Sequence, residues 1–110
     1  MSEPITLINA FTVPPEESER FLYRWKDNAR SMTGQPGLIR ARLYRCLDDD
    51  AELRFINVAE WQHRDALQAA TATAAFRAST QRMLHDPDLH LIPRPALYRV
   101  ALDLHPGDTL

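Results

Sequence analysis

The order of the patterned segments along the chain is the feature that most restricts how it can fold. Apolar residues that alternate with polar ones predict β-strands, and the four candidate strands cover residues 5–13, 38–45, 53–61 and 96–104. Apolar residues at helical spacing predict helices over residues 15–32, 64–70 and 73–84. Thr73 is the expected N-cap of the last helix. His85-Asp86-Pro87 ends that helix, and a polar loop is expected from there to Pro95. The order is therefore strand–helix–strand–strand–helix–strand.

This order is the split βαβ arrangement of ferredoxin-like folds. It predicts an α+β protein of βαββαβ topology, in which four strands form one antiparallel sheet. Because the crossovers are right-handed, both helical layers lie on the same face of that sheet. A chain of 110 residues fits a single domain. We expect the domain to span residues 1–110, with a core at about 4–104 and a frayed tail at 105–110.

The face of the sheet without helices carries apolar side chains. The alternation places Ile8, Ala10, Ile56 and Val58 on that face. An apolar patch of this kind on a small protein indicates a partner, and the simplest partner is a second copy in a closed twofold arrangement. The pattern therefore predicts a homodimer joined through the open face of the sheet.

Charge and composition exclude several classes of function. The chain has 13 basic and 15 acidic residues, a net charge of −2, which argues against a nucleic-acid partner bound through a broad basic surface. The longest apolar runs, of about four residues, are too short for a membrane span. The first ten residues lack the basic start and apolar stretch of a signal peptide. Cys46 is the single cysteine, so we expect a protein of the reducing cytoplasm.

Two asparagines interrupt the apolar face that the first and third strands turn toward the helices. Asn9 and Asn57 stand at inward positions, and Trp61 ends the same face. A buried amide without partners costs about 1–3 kcal/mol, so two of them in an apolar layer need an explanation. They could hydrogen-bond to the backbone or to buried water. They could equally be the few polar groups of an otherwise apolar site for a planar aromatic ligand.

Five stretches of the sequence carry a further signal: ITLINAFTVPPEESERFLYRWK, QPGLIRARLYR, FINVAEW, AFRAS and PALYRVALD. Together they resemble the antibiotic biosynthesis monooxygenase family. The most specific segment is N-V-A-E-W from Asn57 to Trp61, and Q-P-G at 35–37 supports it. The resemblance covers about residues 4–104, and it implies a small dimeric α/β-barrel protein.

The resemblance also implies an activity. The best-known members of the family are cofactor-free oxygenases that convert phenolic or anthrone rings of aromatic polyketides into quinones with molecular oxygen. It therefore implies a small aromatic substrate and no cofactor. Asn57 and Trp61 match residues that line the substrate cavity in those members, and their N–H groups would donate to a developing oxyanion. Asn9 matches an asparagine of the first strand that contributes in some relatives.

Further side chains are candidates for binding the substrate. The aromatic candidates for the walls of the site are Phe11, Trp25, Phe55 and Phe76. Arg82 is a candidate for holding an acidic group of the substrate or favouring a phenolate, and Arg77 is the alternative to it. No glycine-rich nucleotide motif occurs, and the spacing of the four histidines fits no metal site.

Other activities share this fold and stay open. Haem-degrading relatives need an axial histidine about one helical turn after the position of Phe76, and Thr80 stands there, which argues against haem. A polyketide cyclase or a flavin-assisted oxygenase would need a similar aromatic pocket. A dimer that binds a small ligand without turnover would need one too.

Overall fold

The helices and strands follow one another in the predicted order. The computed structural model describes residues 3–110, so Met1 and Ser2 of the predicted domain lie outside the described residues. The strands are β1 (Ile5–Thr12), β2 (Leu38–Arg45), β3 (Leu53–Trp61) and β4 (Ile92–Tyr98). A 3-10 turn (Pro15–Glu17) precedes the helices α1 (Ser18–Arg30), α2 (Arg64–Thr71) and α3 (Ala74–Leu84). Within this described part, no helix is both long enough and apolar enough to cross a membrane.

One antiparallel sheet holds the four strands in the order β2–β3–β1–β4. β1 and β3 are its central pair, and their register places Asn9 opposite Asn57 and Phe11 opposite Phe55. The helices pack on the face of the sheet to which Phe11 and Phe55 point. The predicted α+β, ferredoxin-like fold is therefore confirmed.

The last strand begins earlier than the sequence pattern predicts. The expected bounds of 96–104 are wrong, because β4 covers Ile92–Tyr98 and includes the end of the predicted loop. Pro93 and Pro95 suggested a loop because proline cannot donate to a sheet, but β4 is an edge strand, where the missing N–H groups can face away from β1. Tyr98 pairs with Thr6 near the first residue of β1, so the chain beyond it has no neighbouring strand to pair with.

The buried core is divided into two clusters. The first lies around Phe21 of α1, whose ring stacks on Phe55 with the ring centroids 4.5 Å apart. The second lies around Trp61 and packs against small and aliphatic residues of α2. Asn9 and Asn57 stand on the central strands between the two clusters. The apolar layer is therefore interrupted at the middle of the sheet.

A side-chain cap marks the N-terminus of α2 and of α3. Thr73, the predicted cap, precedes α3, and its Oγ1 accepts a hydrogen bond from the Phe76 N–H at 3.3 Å. His63 precedes α2, and its Nδ1 accepts from the Ala66 N–H at 3.1 Å. Such caps satisfy N–H groups that the first turn of a helix leaves without partners. Two short helices therefore cover this part of the sheet in place of one long one.

A buried ion pair fixes the loop that leads from α3 to β4. The Asp86 carboxylate is fully buried and accepts hydrogen bonds from Arg20 Nε at 2.6 Å and Arg24 Nε at 2.8 Å, both on α1. These two guanidinium groups hold the pKa of Asp86 well below its ordinary value. The carboxylate therefore stays ionised, and it ties the loop before β4 to the first helix.

The turn before β2 requires a glycine. Gly37 has a φ of +89°, in the left-handed region that favours glycine. A Cβ at this position would lie 2.5 Å from the Cβ of Ala66 on α2. The Gly37 carbonyl accepts a hydrogen bond from the Gln62 N–H at 2.8 Å. The Q-P-G segment thus brings the start of β2 close to both α2 and the end of β3.

Replacing Gly37 by Ala is expected to lower the free energy of unfolding by at least about 2 kcal/mol, because the backbone is strained and the new methyl group must displace α2. Gly34→Ala is the matched control, since Gly34 has no positive φ and no atom within 4 Å of the added Cβ. Its stability should stay unchanged or rise by up to about 1 kcal/mol. Denaturant unfolding followed by circular dichroism measures both, and equal stability of the two variants would contradict this role of Gly37.

Candidate active site

A cavity of about 480 Å³ lies between the sheet and the helices. It occupies the gap between the two core clusters: Phe11 and Met83 of the first cluster and Trp61 and Leu67 of the second all line it. Its volume falls within the range of pockets for small organic molecules, roughly 300–1,000 Å³. The cavity at this interruption of the core is therefore the candidate active site.

The walls of this cavity are mainly aliphatic and aromatic, and they carry no ionisable side chain. Among the described residues that line it, Asp, Glu, Lys, Arg, His, Tyr and Cys are all absent. Its polar side chains are the indoles of Trp25 and Trp61, Asn9, Asn28, Asn57, Thr33, Thr71 and Thr80. Residues 3–110 also contain no group of His, Cys, Asp and Glu side chains that could hold a metal ion. A ligand in the cavity therefore meets neutral hydrogen-bonding groups only.

Two polar atoms in the cavity walls are buried without a hydrogen-bond partner among residues 3–110. They are Oδ1 of Asn57 and Nε1 of Trp61. The neighbouring Asn9 differs, because its Oδ1 accepts a hydrogen bond from the Arg94 N–H at 3.0 Å. A buried donor or acceptor without a partner costs about 1–3 kcal/mol, so few such groups persist in folded proteins. One free acceptor and one free donor therefore stand four residues apart on the same face of β3.

The cavity walls bring together six of the predicted site residues: Asn9, Phe11, Trp25, Asn57, Trp61 and Phe76. Those on β1 and β3 follow from the strand alternation, which places them on the face toward the helices. Those on α1 and α3 follow from the apolar stripes of these helices. For Asn57, the fully buried atom without a partner among the described residues is the carbonyl oxygen, an acceptor, and the expected role of its N–H as a donor stays a prediction.

Two predicted site residues lie outside the cavity. Phe55 stands on the correct face of β3 but stacks on Phe21 in the first core cluster, so its expected place in the cavity wall is wrong. Arg82 points away from the cavity and is half exposed, with Nε and Nη2 donating to the Asp27 carboxylate at 2.8 and 3.0 Å. This pairing lowers the pKa of Asp27. Arg82 therefore holds α3 to α1 and is not placed to bind a substrate.

Sequence reasoning missed a polar cluster on the helix side of the cavity. Asn28 of α1 donates from Nδ2 to Ser79 Oγ at 2.8 Å and to Thr80 Oγ1 at 3.0 Å. Asn28 and Thr80 line the cavity. A signal was available, because Asn28 stands one helical turn after Trp25 on the apolar stripe of α1. It is an inward amide of the same kind as Asn9.

A model of one protein family, described as antibiotic biosynthesis monooxygenase, matches residues 4–82. The chain belongs to that family. The matched segment contains the N-V-A-E-W stretch with both unpartnered atoms, and this membership makes the protein an oxygenase. A search of proteins with curated functions finds no match to this chain.

Solved structures agree with this family assignment. A protein from Shewanella loihica PV-4, named as a candidate monooxygenase, is 35% identical, with a TM-score of 0.73 over 94% of this chain and 99% of that one. SnoaB from Streptomyces nogalater, a cofactor-independent oxygenase, is 26% identical, with a TM-score of 0.76 over 94% of this chain and 98% of SnoaB.

One similar structure belongs to a protein that holds porphyrins. A variant of MhuD with two manganese protoporphyrin IX groups per active site is 24% identical, with a TM-score of 0.69 over 92% of this chain and 98% of that one. At this identity the likeness shows the shared fold alone. Thr80 lies in the cavity wall of the present chain, and among the described residues no histidine lines that cavity.

Removing the unpartnered N–H of Trp61 is expected to cost little stability. Trp61→Phe keeps an aromatic ring in the second core cluster and deletes the donor, so only the smaller buried volume should matter, and the free energy of unfolding should fall by about 1–2 kcal/mol. Phe55→Ala, a core reference outside the cavity, should lose roughly 3–5 kcal/mol. Chemical denaturation of both variants measures these changes. A loss for Trp61→Phe as large as that for Phe55→Ala would contradict this expectation.

Proposed function

We propose that this protein is a cofactor-independent monooxygenase that oxidises a phenolic or anthrone-type aromatic polyketide to a quinone with molecular oxygen. The observation that carries the proposal is the pair of unpartnered polar atoms, Asn57 Oδ1 and Trp61 Nε1, in the walls of an otherwise apolar cavity. Membership in a monooxygenase family and the 26% identity to a cofactor-independent oxygenase support it.

The substrate itself supplies the electrons in the proposed reaction. Loss of the O–H proton from a phenol, or from the enol tautomer of an anthrone, gives a phenolate whose ring passes one electron to oxygen. The radical pair recombines at the ring carbon, and the resulting peroxide takes up the proton to give a hydroperoxide. Loss of water from the hydroperoxide leaves the quinone. One oxygen atom of O₂ becomes the new carbonyl group and the other leaves as water. The protein needs to favour the anion, orient the ring and exclude bulk water.

Each of the two unpartnered atoms can bind the substrate oxygen in one of its two protonation states. The Asn57 carbonyl oxygen accepts a hydrogen bond from the neutral hydroxyl group and so orients the ring. The Trp61 N–H donates to the same oxygen once it becomes an anion, and this interaction is strongest where charge develops in an apolar site. Asn9, held by its hydrogen bond from the Arg94 N–H, keeps its own amide N–H groups for a second substrate oxygen.

Replacing either residue should reduce turnover far more than folding stability. Asn57→Ala and Trp61→Phe are each expected to lower kcat/KM for quinone formation from anthrone by about 10²–10³. Arg82→Gln is the control, because Arg82 lies on the surface and pairs with Asp27. Absorbance of the quinone measures the rate, and thermal melts measure folding. Near-full activity in both cavity variants would contradict their assigned roles.

The pH dependence of the reaction should follow the substrate and not the protein. No described residue that lines the cavity is ionisable, so no side chain there takes the proton, and kcat/KM rises with pH through the pKa of the free phenol. Two naphthols whose pKa values differ by about one unit should therefore give two rate profiles displaced by about one pH unit. A shared midpoint for both substrates would indicate an ionisable catalytic group of the protein.

We propose further that the protein works as a homodimer joined through the open face of the sheet. The register places Ile8 opposite Val58 and Ala10 opposite Ile56 on the face that the helices leave uncovered. The exposed ring of Tyr98 extends this apolar surface on β4. Beyond Tyr98 the chain carries three exposed apolar side chains in alternation, Val100, Leu102 and Leu104. A second copy would cover both the face and this segment.

Sedimentation at micromolar concentration should report about twice the chain mass of 12.6 kDa. Ile56→Glu places a charge at the centre of the open face and should shift the protein toward the monomer. Leu47→Glu is the control, because Leu47 is 97% exposed in the turn between β2 and β3. A monomeric wild-type protein at this concentration would contradict the proposed dimer.

A further inference from the structure

The cavity has a second polar side, formed by the helices, that the proposed reaction does not use. Asn28 of α1 and Thr80 of α3 both line the cavity there. They meet directly, with Asn28 Nδ2 donating to Thr80 Oγ1 at 3.0 Å and to the buried Ser79 Oγ at 2.8 Å. This cluster faces the sheet residues Asn57 and Trp61 from the other wall of the same cavity.

The hydrogen bonds within this cluster fix the orientation of every group in it. Ser79 donates its single hydroxyl hydrogen to the Phe76 carbonyl oxygen at 3.0 Å, so its Oγ can only accept from Asn28. The Asn28 side chain must therefore point its NH₂ group toward α3, and both amide hydrogens are used. Two groups are left without a partner among the described residues: the Asn28 carbonyl oxygen, an acceptor, and the Thr80 hydroxyl hydrogen, a donor.

We propose that Asn28 and Thr80 form a second subsite, which binds a hydroxyl group at the end of the substrate remote from the oxidised ring. A hydroxyl group matches the pair because it donates one hydrogen bond, to Asn28 Oδ1, and accepts another, from Thr80 O–H. A carboxylate does not match, since no cation lines the cavity in the described part of the chain and a buried charge would be unpaired.

This subsite rests on the proposed function and determines how the substrate is oriented in the cavity. The unpartnered atoms of Asn57 and Trp61 hold the reacting oxygen from the sheet side, and Asn28 with Thr80 holds a second oxygen from the helix side. A flat substrate that is bound at both ends has one orientation in the cavity. Substrates with a hydroxyl group on a terminal ring are therefore selected over those without it, because a bound substrate that lacks this group leaves the Asn28 acceptor and the Thr80 donor without partners.

The test compares anthrone with 2-hydroxyanthrone, which differs from it by a hydroxyl group on a terminal ring. The wild-type protein should prefer the hydroxylated compound by about tenfold in kcat/KM, and Thr80→Val, which keeps the side-chain shape, should reduce that ratio to about one. Thr71→Val is the matched control. Thr71 also lines the cavity, but its hydroxyl group donates to the Leu67 carbonyl oxygen at 3.0 Å, so the ratio should stay near tenfold.

Binding measured by quenching of tryptophan fluorescence under anaerobic conditions separates this subsite from the proposed reaction. A tenfold preference in Kd that Thr80→Val abolishes supports the subsite even if no quinone forms in air, an outcome that would refute the oxygenase proposal alone. Equal binding of the two compounds by the wild-type protein, or a preference that persists in Thr80→Val, would overturn the subsite. Failure of both compounds to bind would overturn it as well.

Discussion

The cavity depends on two asparagine side chains that stand opposite each other at the centre of the sheet. Asn9 of β1 stands directly opposite Asn57 of β3, and both side chains lie on the face that the helices cover. An apolar layer cannot close over two amides without leaving their polar groups unsatisfied. The core therefore packs in two clusters, around Phe21 and around Trp61, and the space between them stays open to a ligand. A slip of one residue by either strand would turn the amide of that strand to the other face.

Much of this arrangement is predictable from the sequence, because strand alternation and helical periodicity decide which face each residue takes. Asn9, Asn57 and Trp61 reach the cavity for this reason. The sequence does not show how far along a strand the cavity extends. Phe55 shares the face of Asn57, but the ring of Phe21 covers it, and only the packing of α1 determines that.

The other differences arise from contacts between elements that are distant in the chain. Arg82 lies outside the cavity because it pairs with Asp27 on α1. The residue pattern of α3 alone does not reveal this contact. The bounds of β4 depend on its place at the edge of the sheet, where prolines are tolerated. Asn28 was recognisable from the sequence as a polar residue on the apolar stripe of α1. Its role depends on its hydrogen bonds to Ser79 and Thr80 on the facing helix.

Because the described cavity walls hold no ionisable side chain, the central claim is that the protein orients a substrate that reacts with oxygen by itself. Isotope labelling tests this most directly, with protein treated to remove metal ions and flavin, anthrone as the substrate and oxygen-18 gas. We expect one labelled oxygen atom in the quinone, at the new carbonyl group, after short incubation and correction for exchange with water. A product without the label, or a ring-closed product formed without oxygen uptake, would contradict the claim.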